Sequence, residues 1–276
     1  MAITAAEVNK LRQMTGSGMM DCKNALVEAE GDFDKAIDIL RKKGQKIAAK
    51  RADRTASDGY VYAQVSADKT FGTVVMVNCE TDFVAKTEDF IGFAKKISDF
   101  SIANKIQDLQ KLLDAQIEGR TVAQLLTDMT AKTGEKVELN RYEVINQPFV
   151  SCYNHNGNRL AVIVGFDKPC EGLDVTGHEI AMQIAAMSPI AVDEASVAQE
   201  VIDHEIEIGK EQAINEGKPA EMAEKIAKGR LNKFFKENTL MNQEFVKDNK
   251  KTIAQYLKET DASVKCTGFF RLQLGE

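Results

Sequence analysis

Val77-Asn78-Cys79-Glu80-Thr81-Asp82-Phe83-Val84-Ala85-Lys86 is the stretch on which the reading of the chain turns. The apolar run before it, Thr73-Val74-Val75-Met76-Val77, reads as a buried strand. Thr87-Glu88-Asp89-Phe90, just after it, has the pattern of a helix start. Between them lies a polar turn with one large aromatic, Phe83, beside an acid, Asp82. A loop between two rigid elements can hold a side chain out for a partner. Alternatively, Phe83 folds back as a hydrophobic staple on the helix start. Residue physics by itself favours the staple, because most loop aromatics pack locally.

Working outward, Tyr60 to Val65 and Phe71 to Val77 flank Ser66-Ala67-Asp68-Lys69-Thr70 and predict a hairpin. The helix after the turn has Phe90, Phe93, Ala94, Ile97 and Phe100 as its apolar stripe. Two more helices follow, one with Leu109, Leu112 and Leu113. The other is capped by Thr121, carries Val122, Leu125, Leu126 and Met129, and is stopped by Gly134. A second strand–strand–helix series then appears: Phe149 to Tyr153, Leu160 to Phe166, and Val175 to Met187 with Ile180, Ile184 and Met187 inward. His155-Asn156-Gly157-Asn158 is its tight turn. The order hairpin, loop, amphipathic helix therefore occurs twice, predicting an α+β core of two related subdomains. Cys266 to Leu274 alternates as a last strand of the second sheet.

Upstream, Thr4-Ala5-Ala6-Glu7 is a capping box. It opens a helix with Val8, Leu11 and Met14 on its apolar face. Met19 to Glu30 is a second helix, with Met20, Ala25, Leu26 and Ala29 as candidate buried positions. Phe33, Ala36, Ile37 and Leu40 mark a third short helix, completing a small bundle. Arg41 to Arg54 reads as a linker with Arg41, Lys42, Lys43, Lys46, Lys50, Arg51 and Arg54 against Asp53. It is either a solvated helix end or a basic patch for phosphate or RNA; the lack of interleaved aromatics favours the former. Farther on, Ser196 to Ile214 and Glu221 to Phe235 predict two charge-rich helices joined at Asn215-Glu216-Gly217-Lys218-Pro219. Val197, Val201 and Ile208 would seal against Met222 and Ile226 in an antiparallel hairpin that serves a partner, a dimer, or neither. The expected segments are 1–54, 55–145, 146–195 with 240–276, and 196–239 for the arm.

The composition of the 276 residues is 43% apolar and 28% charged, with a net charge of −6. An acidic surface does not invite nucleic acid or an anionic membrane. No apolar stretch approaches the ~20 residues of a membrane span, and Met1-Ala2-Ile3-Thr4 lacks the basic and apolar regions of a signal peptide. A cytoplasmic protein is expected. Cys22, Cys79, Cys152, Cys170 and Cys266 form no C-x-x-C and suggest reduced, packed thiols. His178-Glu179 begins an H-E-x-x-H pattern, but Met182 stands where the second histidine is needed. No metal or cofactor is expected. Asp82 has no base nearby, and no phosphate-cradling glycine loop or nucleophile motif is present. These features favour an interaction protein over an enzyme.

Met14-Thr15-Gly16-Ser17-Gly18-Met19-Met20-Asp21-Cys22-Lys23-Asn24-Ala25-Leu26 resembles the N-terminal signature of bacterial elongation factor Ts. Val77 to Ala85 resembles the second signature of that family, and Gly217-Lys218-Pro219 and Thr267-Gly268-Phe269-Phe270-Arg271 are also similar to it. The resemblance implies an N-terminal three-helix, ubiquitin-associated-like domain, a core of two related α+β halves and an inserted helical hairpin. It implies guanine-nucleotide exchange on elongation factor Tu during translation, without covalent chemistry. Thr81, Asp82, Phe83 and Val84 match the family's wedge, which disturbs Mg²⁺ bound in the GTPase. Arg12, Met19 and Met20 match its N-terminal docking face, and His155 matches, more loosely, a histidine that supports the wedge. Glu276 follows soon after the expected last strand, so contacts made by the C-terminal helical extension of many members are not expected here. A homodimer through the hairpin stays open. The alternative from another class is an RNA- or ribosome-binding accessory factor using Arg41 to Arg54; a third is a cysteine-dependent enzyme.

Overall fold

The computed structural model describes residues 3–276, and for Ala220 and Glu221 only the backbone. Met1 and Ala2, on which part of the leader reading rests, lie outside the described residues. The chain is mixed helix and strand. It opens with α1 (Ala5–Thr15), α2 (Met19–Glu28) and α3 (Phe33–Arg51). The Thr4/Glu7 capping box starts α1, and Gly16 ends it at φ +67°, a left-handed conformation that favours glycine. Val8, Leu11, Cys22, Ala25, Leu26, Ala29, Ala36 and Leu40 form the bundle core. Met14 and Met20 do not join it and stand exposed.

The basic stretch is not a linker through most of its length. α3 runs on to Arg51, because Lys, Arg, Gln and Ala sustain a helix and no proline interrupts it. Gly44 lets α3 pack closely, since a Cβ there would lie 3.0 Å from that of Ala131.

β1 (Asp58–Val65) and β2 (Phe71–Cys79) form the first hairpin, and all nine residues of β2 are buried. α4 (Asp82–Ala85) is a single turn, followed by α5 (Glu88–Ala103) and α6 (Leu109–Asp114). A short β3–β4 pair (Gln116–Ile117, Arg120–Thr121) leads to α7 (Val122–Thr133), which Gly134 ends. β5 (Glu138–Asn146) then joins the first sheet in the order β1-β2-β5. Its sequence lacks the alternation that marks a strand.

The second series is β6 (Phe149–Asn154), β7 (Leu160–Phe166) and α8 (Leu173–Met187). β6 and β7 pair antiparallel from Phe149↔Phe166 to Asn154↔Ala161. Ile180 and Ile184 of α8 are fully buried with Val164 and Phe166, whereas Met187, expected inward, is exposed. The arm follows as α9 (Gln199–Asn215) and α10 (Ala220–Asn238). Its seam is smaller than the sequence suggested. Gly209, Ala213, Ala223 and Ala227 are buried, while Val201 and Met222 are exposed and Ile208 and Ile226 half-covered. A Cβ on Gly209 would lie 3.0 Å from Ala227 Cα, so the backbones approach too closely for larger side chains. Val197 packs instead with Ala191 and Phe235. β8 (Glu244–Phe245), β9 (Asp248–Thr252) and α11 (Ile253–Thr260), also unassigned from sequence, precede β10 (Cys266–Gln273). β10 joins the second sheet as expected, in the order β10-β7-β6. In each sheet, therefore, a late strand pairs with the second strand of a hairpin.

Two compact units divide the chain. One comprises the chain up to Tyr62, Val75–Glu143 and Gln273–Glu276; the other comprises Ala63–Val74 and Val144–Leu272. No helix among the described residues is long and apolar enough to cross a membrane.

Candidate functional site

The turn after β2 is assembled in the first unit by a set of carboxylate bonds. Glu135, just after α7, accepts the backbone N–H of Glu80 at 3.1 Å and that of Thr81 at 3.0 Å on Oε2. Its Oε1 accepts the Thr81 hydroxyl at 2.7 Å. In return, Glu80 Oε1 accepts the N–H of Lys136 at 2.7 Å. Arg51, at the end of α3, donates from Nη1 to both Glu80 oxygens, at 3.0 and 2.9 Å. The N–H of Lys136, then Arg51, hold the Glu80 carboxyl below its ordinary pKa. Segments 80–81 and 135–136 thus exchange charge-assisted bonds.

Thr81 caps α4, its Oγ1 accepting the Val84 N–H at 3.5 Å. Thr87 closes the other end, donating to the Val84 carbonyl at 2.8 Å and accepting the Phe90 N–H as the cap of α5. Asp82 pairs with Lys86 one turn on, at 2.6 Å, which lowers its pKa. Phe83 lies between these fixed ends with its side chain 83% exposed. The staple reading fails: the ring stays largely in solvent. Val84 is half-buried and Ala85 buried, so the turn is rooted on one side and bare on the other.

A second exposed feature lies at the α1–α2 corner. Thr15 Oγ1 donates to the Leu11 carbonyl at 2.8 Å, and the Cys22 thiol donates to the Ser17 carbonyl. From this corner Arg12, Met14, Met19 and Met20 face outward, with Met20 63% exposed. Methionine's flexible, polarisable side chain suits adaptable contacts.

His155 belongs to the second unit, in the β6–β7 turn. It is exposed, with Nδ1 2.9 Å from the Tyr153 hydroxyl. Tyr153 in turn meets the His178 ring edge-on at 5.6 Å. The structure therefore gathers Thr81, Asp82, Phe83 and Val84 in one turn and Arg12, Met19 and Met20 on one corner, with His155 in a separate aromatic group. Sequence reasoning missed the roles of Glu80, Glu135 and Arg51. No local signal marks them, because 55 residues separate Glu135 from Glu80.

The thiols are built to pack. Cys79 donates to the Thr81 carbonyl at 3.2 Å, and burial pushes its pKa up to about 12. Burial likewise raises Cys22. Such thiols stay protonated at neutral pH and make poor nucleophiles, which removes support from the cysteine-enzyme reading. Among the described residues, no group of three or more His, Cys, Asp or Glu side chains is placed to hold a metal.

An aromatic held out on a clamped turn and a methionine corner on a small bundle are exposed apolar features of the kind found at contacts between macromolecules. The elongation factor Ts family model matches residues 80–276. The chain is 50% identical over 273 residues to elongation factor Ts of Christiangramia forsetii, with 99% of each chain covered. It is 50% identical over 276 residues to that of Amoebophilus asiaticus, with 100% of each covered. It is 48% identical over 275 residues to that of Cytophaga hutchinsonii, with 99% of each covered. The chain belongs to the elongation factor Ts family, and its role is in translation elongation.

Proposed function

We propose that the protein is the guanine-nucleotide exchange factor of elongation factor Tu, working in the cytoplasm without covalent chemistry of its own. The exposure of Phe83 on a turn fixed at both ends carries this reading. The ring enters the GTPase and stabilises an opened state. Asp82 receives donors uncovered there, and Mg²⁺ is displaced from the nucleotide phosphates. Because Mg²⁺ neutralises much of the phosphate charge, its loss weakens nucleotide binding strongly. A factor that binds the nucleotide-free partner better than the nucleotide-bound one must, by linkage, weaken nucleotide binding by the same ratio. GTP then rebinds and displaces the factor.

Arg12, Met19 and Met20 would dock the bundle on the same partner, and His155 would support the wedge contact. The helical arm is available for a further copy of the chain. The bundle of 1–54, the halves 55–145 and 146–195 with 240–276, and the arm 196–239 would then be the working parts. RNA binding through Arg41 to Arg54 has less support, because Arg41, Lys43 and Arg51 are paired with Asp38, Asp21 and Glu80.

The test is release of fluorescent GDP from elongation factor Tu, followed by stopped flow against excess unlabelled GDP. Release that accelerates with concentration of this protein is expected. No acceleration would remove the exchange reading and leave the family assignment intact.

A further inference from the structure

Four residues cannot hold a helical turn by themselves, since nucleation fixes several dihedrals for one hydrogen bond. The pose of α4 therefore depends on what grips its ends. At its start, three donors converge on one carboxylate, that of Glu135. By accepting the hydrogen bond of the Thr81 hydroxyl, Glu135 also turns the Thr81 oxygen to accept from Val84.

The second half of the core serves as an internal control. There, the first residue after β7, Asp167, accepts the N–H of Lys265 at 2.8 Å, and Lys265 directly precedes β10. In the first half, the first residue after β2, Glu80, accepts the N–H of Lys136, two residues before β5. This bond is common to both halves. The residue before Lys136 is Glu135, whereas the residue before Lys265 is Val264, an apolar side chain that cannot accept. The half with a Glu at that position is the half whose connector exposes an aromatic; the half with Val carries no such aromatic between β7 and α8.

We propose that Glu135 is a positioning residue for the wedge, holding Glu80 and Thr81 so that Phe83 leaves the surface in the direction that enters the partner. The inference rests on the exchange reading above. Glu135 acts through its bonds to Glu80 and Thr81.

The test is a double-mutant cycle of Glu135→Ala and Phe83→Ala, read by GDP release from elongation factor Tu over a range of factor concentrations. Glu135→Ala is expected to lower the saturating rate by about tenfold or more, as misplaced reacting groups do. The half-saturating concentration should stay within about twofold. In the Phe83→Ala background, Glu135→Ala should add no further loss, because the ring it positions is absent. Glu135→Gln, which keeps one acceptor oxygen, should recover part of the rate. Amide hydrogen exchange at Glu80 and Thr81 should quicken in Glu135→Ala. A saturating rate equal to wild type, or an equal fall in both backgrounds, would overturn the proposal. If Glu135→Ala loses its helical circular dichroism, Glu135→Gln, which weakens the three-donor grip while leaving the Thr81 cap of α4 in place, takes its place, with a smaller fall in rate expected and again none in the Phe83→Ala background. Equal GDP release by wild type and Phe83→Ala is the distinct signature of a failed wedge reading, and the inference would fall with it.

Discussion

In the first half of the core, Phe71–Cys79 leads through the one-turn helix Asp82–Ala85 into Glu88–Ala103. In the second, Leu160–Phe166 leads through Asp167-Lys168-Pro169-Cys170-Glu171-Gly172 into Leu173–Met187. Both routes join a buried strand to an amphipathic helix, and both are tied by a carboxylate to the segment entering a late strand. Only the first exposes an aromatic. The shared architecture is what any buried hairpin packed on a helix requires. What differs is a few side chains at the rim, where packing leaves the choice of residue open. On the proposed exchange reading, function is written on a connection that the fold merely holds still.

The comparison can be broken most forcefully in its cores. Ile97→Ala in α5 and Ile180→Ala in α8 each remove a fully buried side chain. Each should cost about 2–5 kcal/mol, seen as a lower urea midpoint. An unmoved midpoint for either would show that the two halves are not held alike. Phe83→Ala sharpens the contrast from the other side. It should slow GDP release from elongation factor Tu by about thirtyfold or more, the loss of ~2 kcal/mol typical of a central aromatic at an interface. Its urea midpoint should stay put, since the ring is largely exposed in the free protein.

The arm offers a third case, of packing without large side chains. Gly209→Val should force the two helices apart at Ala227, costing about 1–3 kcal/mol. Faster proteolytic cutting within 199–238, with the cores intact, would register it. The smallest effect concerns the clamp. Glu80 has its folded-state pKa depressed by the Lys136 N–H and by Arg51, below the ordinary value of 4.5. Its contribution is thus fully present above about pH 4.5 and is lost as pH falls through the lower folded value. Amide exchange at Lys136, corrected for intrinsic rate, should accelerate over that acidic window in wild type. In Glu80→Ala, which removes the acceptor, it should be fast throughout, and a pH-independent wild-type rate would contradict the assignment.

Much of this architecture is local in origin and could be read directly. The capping boxes Thr4/Glu7 and Thr121/Gln124, the stop at Gly134, both hairpins and the repeated strand–strand–helix order all rest on neighbours within a few residues. α11 could have been found the same way, for Thr252 and Gln255 form a capping box ahead of Leu257. β5 could not: Leu139, Tyr142 and Ile145 are its buried residues, three apart, and so show no strand alternation. The charge-rich end of α3 hid a helix that the packing of Gly44 on Ala131 continues.

The sequence by itself determined most of the helices, both hairpins, the doubling of the core and the family, because caps, turns, apolar period and long signatures are short-range properties of the chain. Only the tertiary structure decided which apolar residues stay bare. Met20 and Phe83 looked as buriable as Leu26 and Phe90, and Val201 as fit for a seam as Ala213. Whether a side chain is covered depends on the surface that arrives from elsewhere. The grip of Glu135 on Thr81 likewise exists only once distant segments are brought within hydrogen-bond reach.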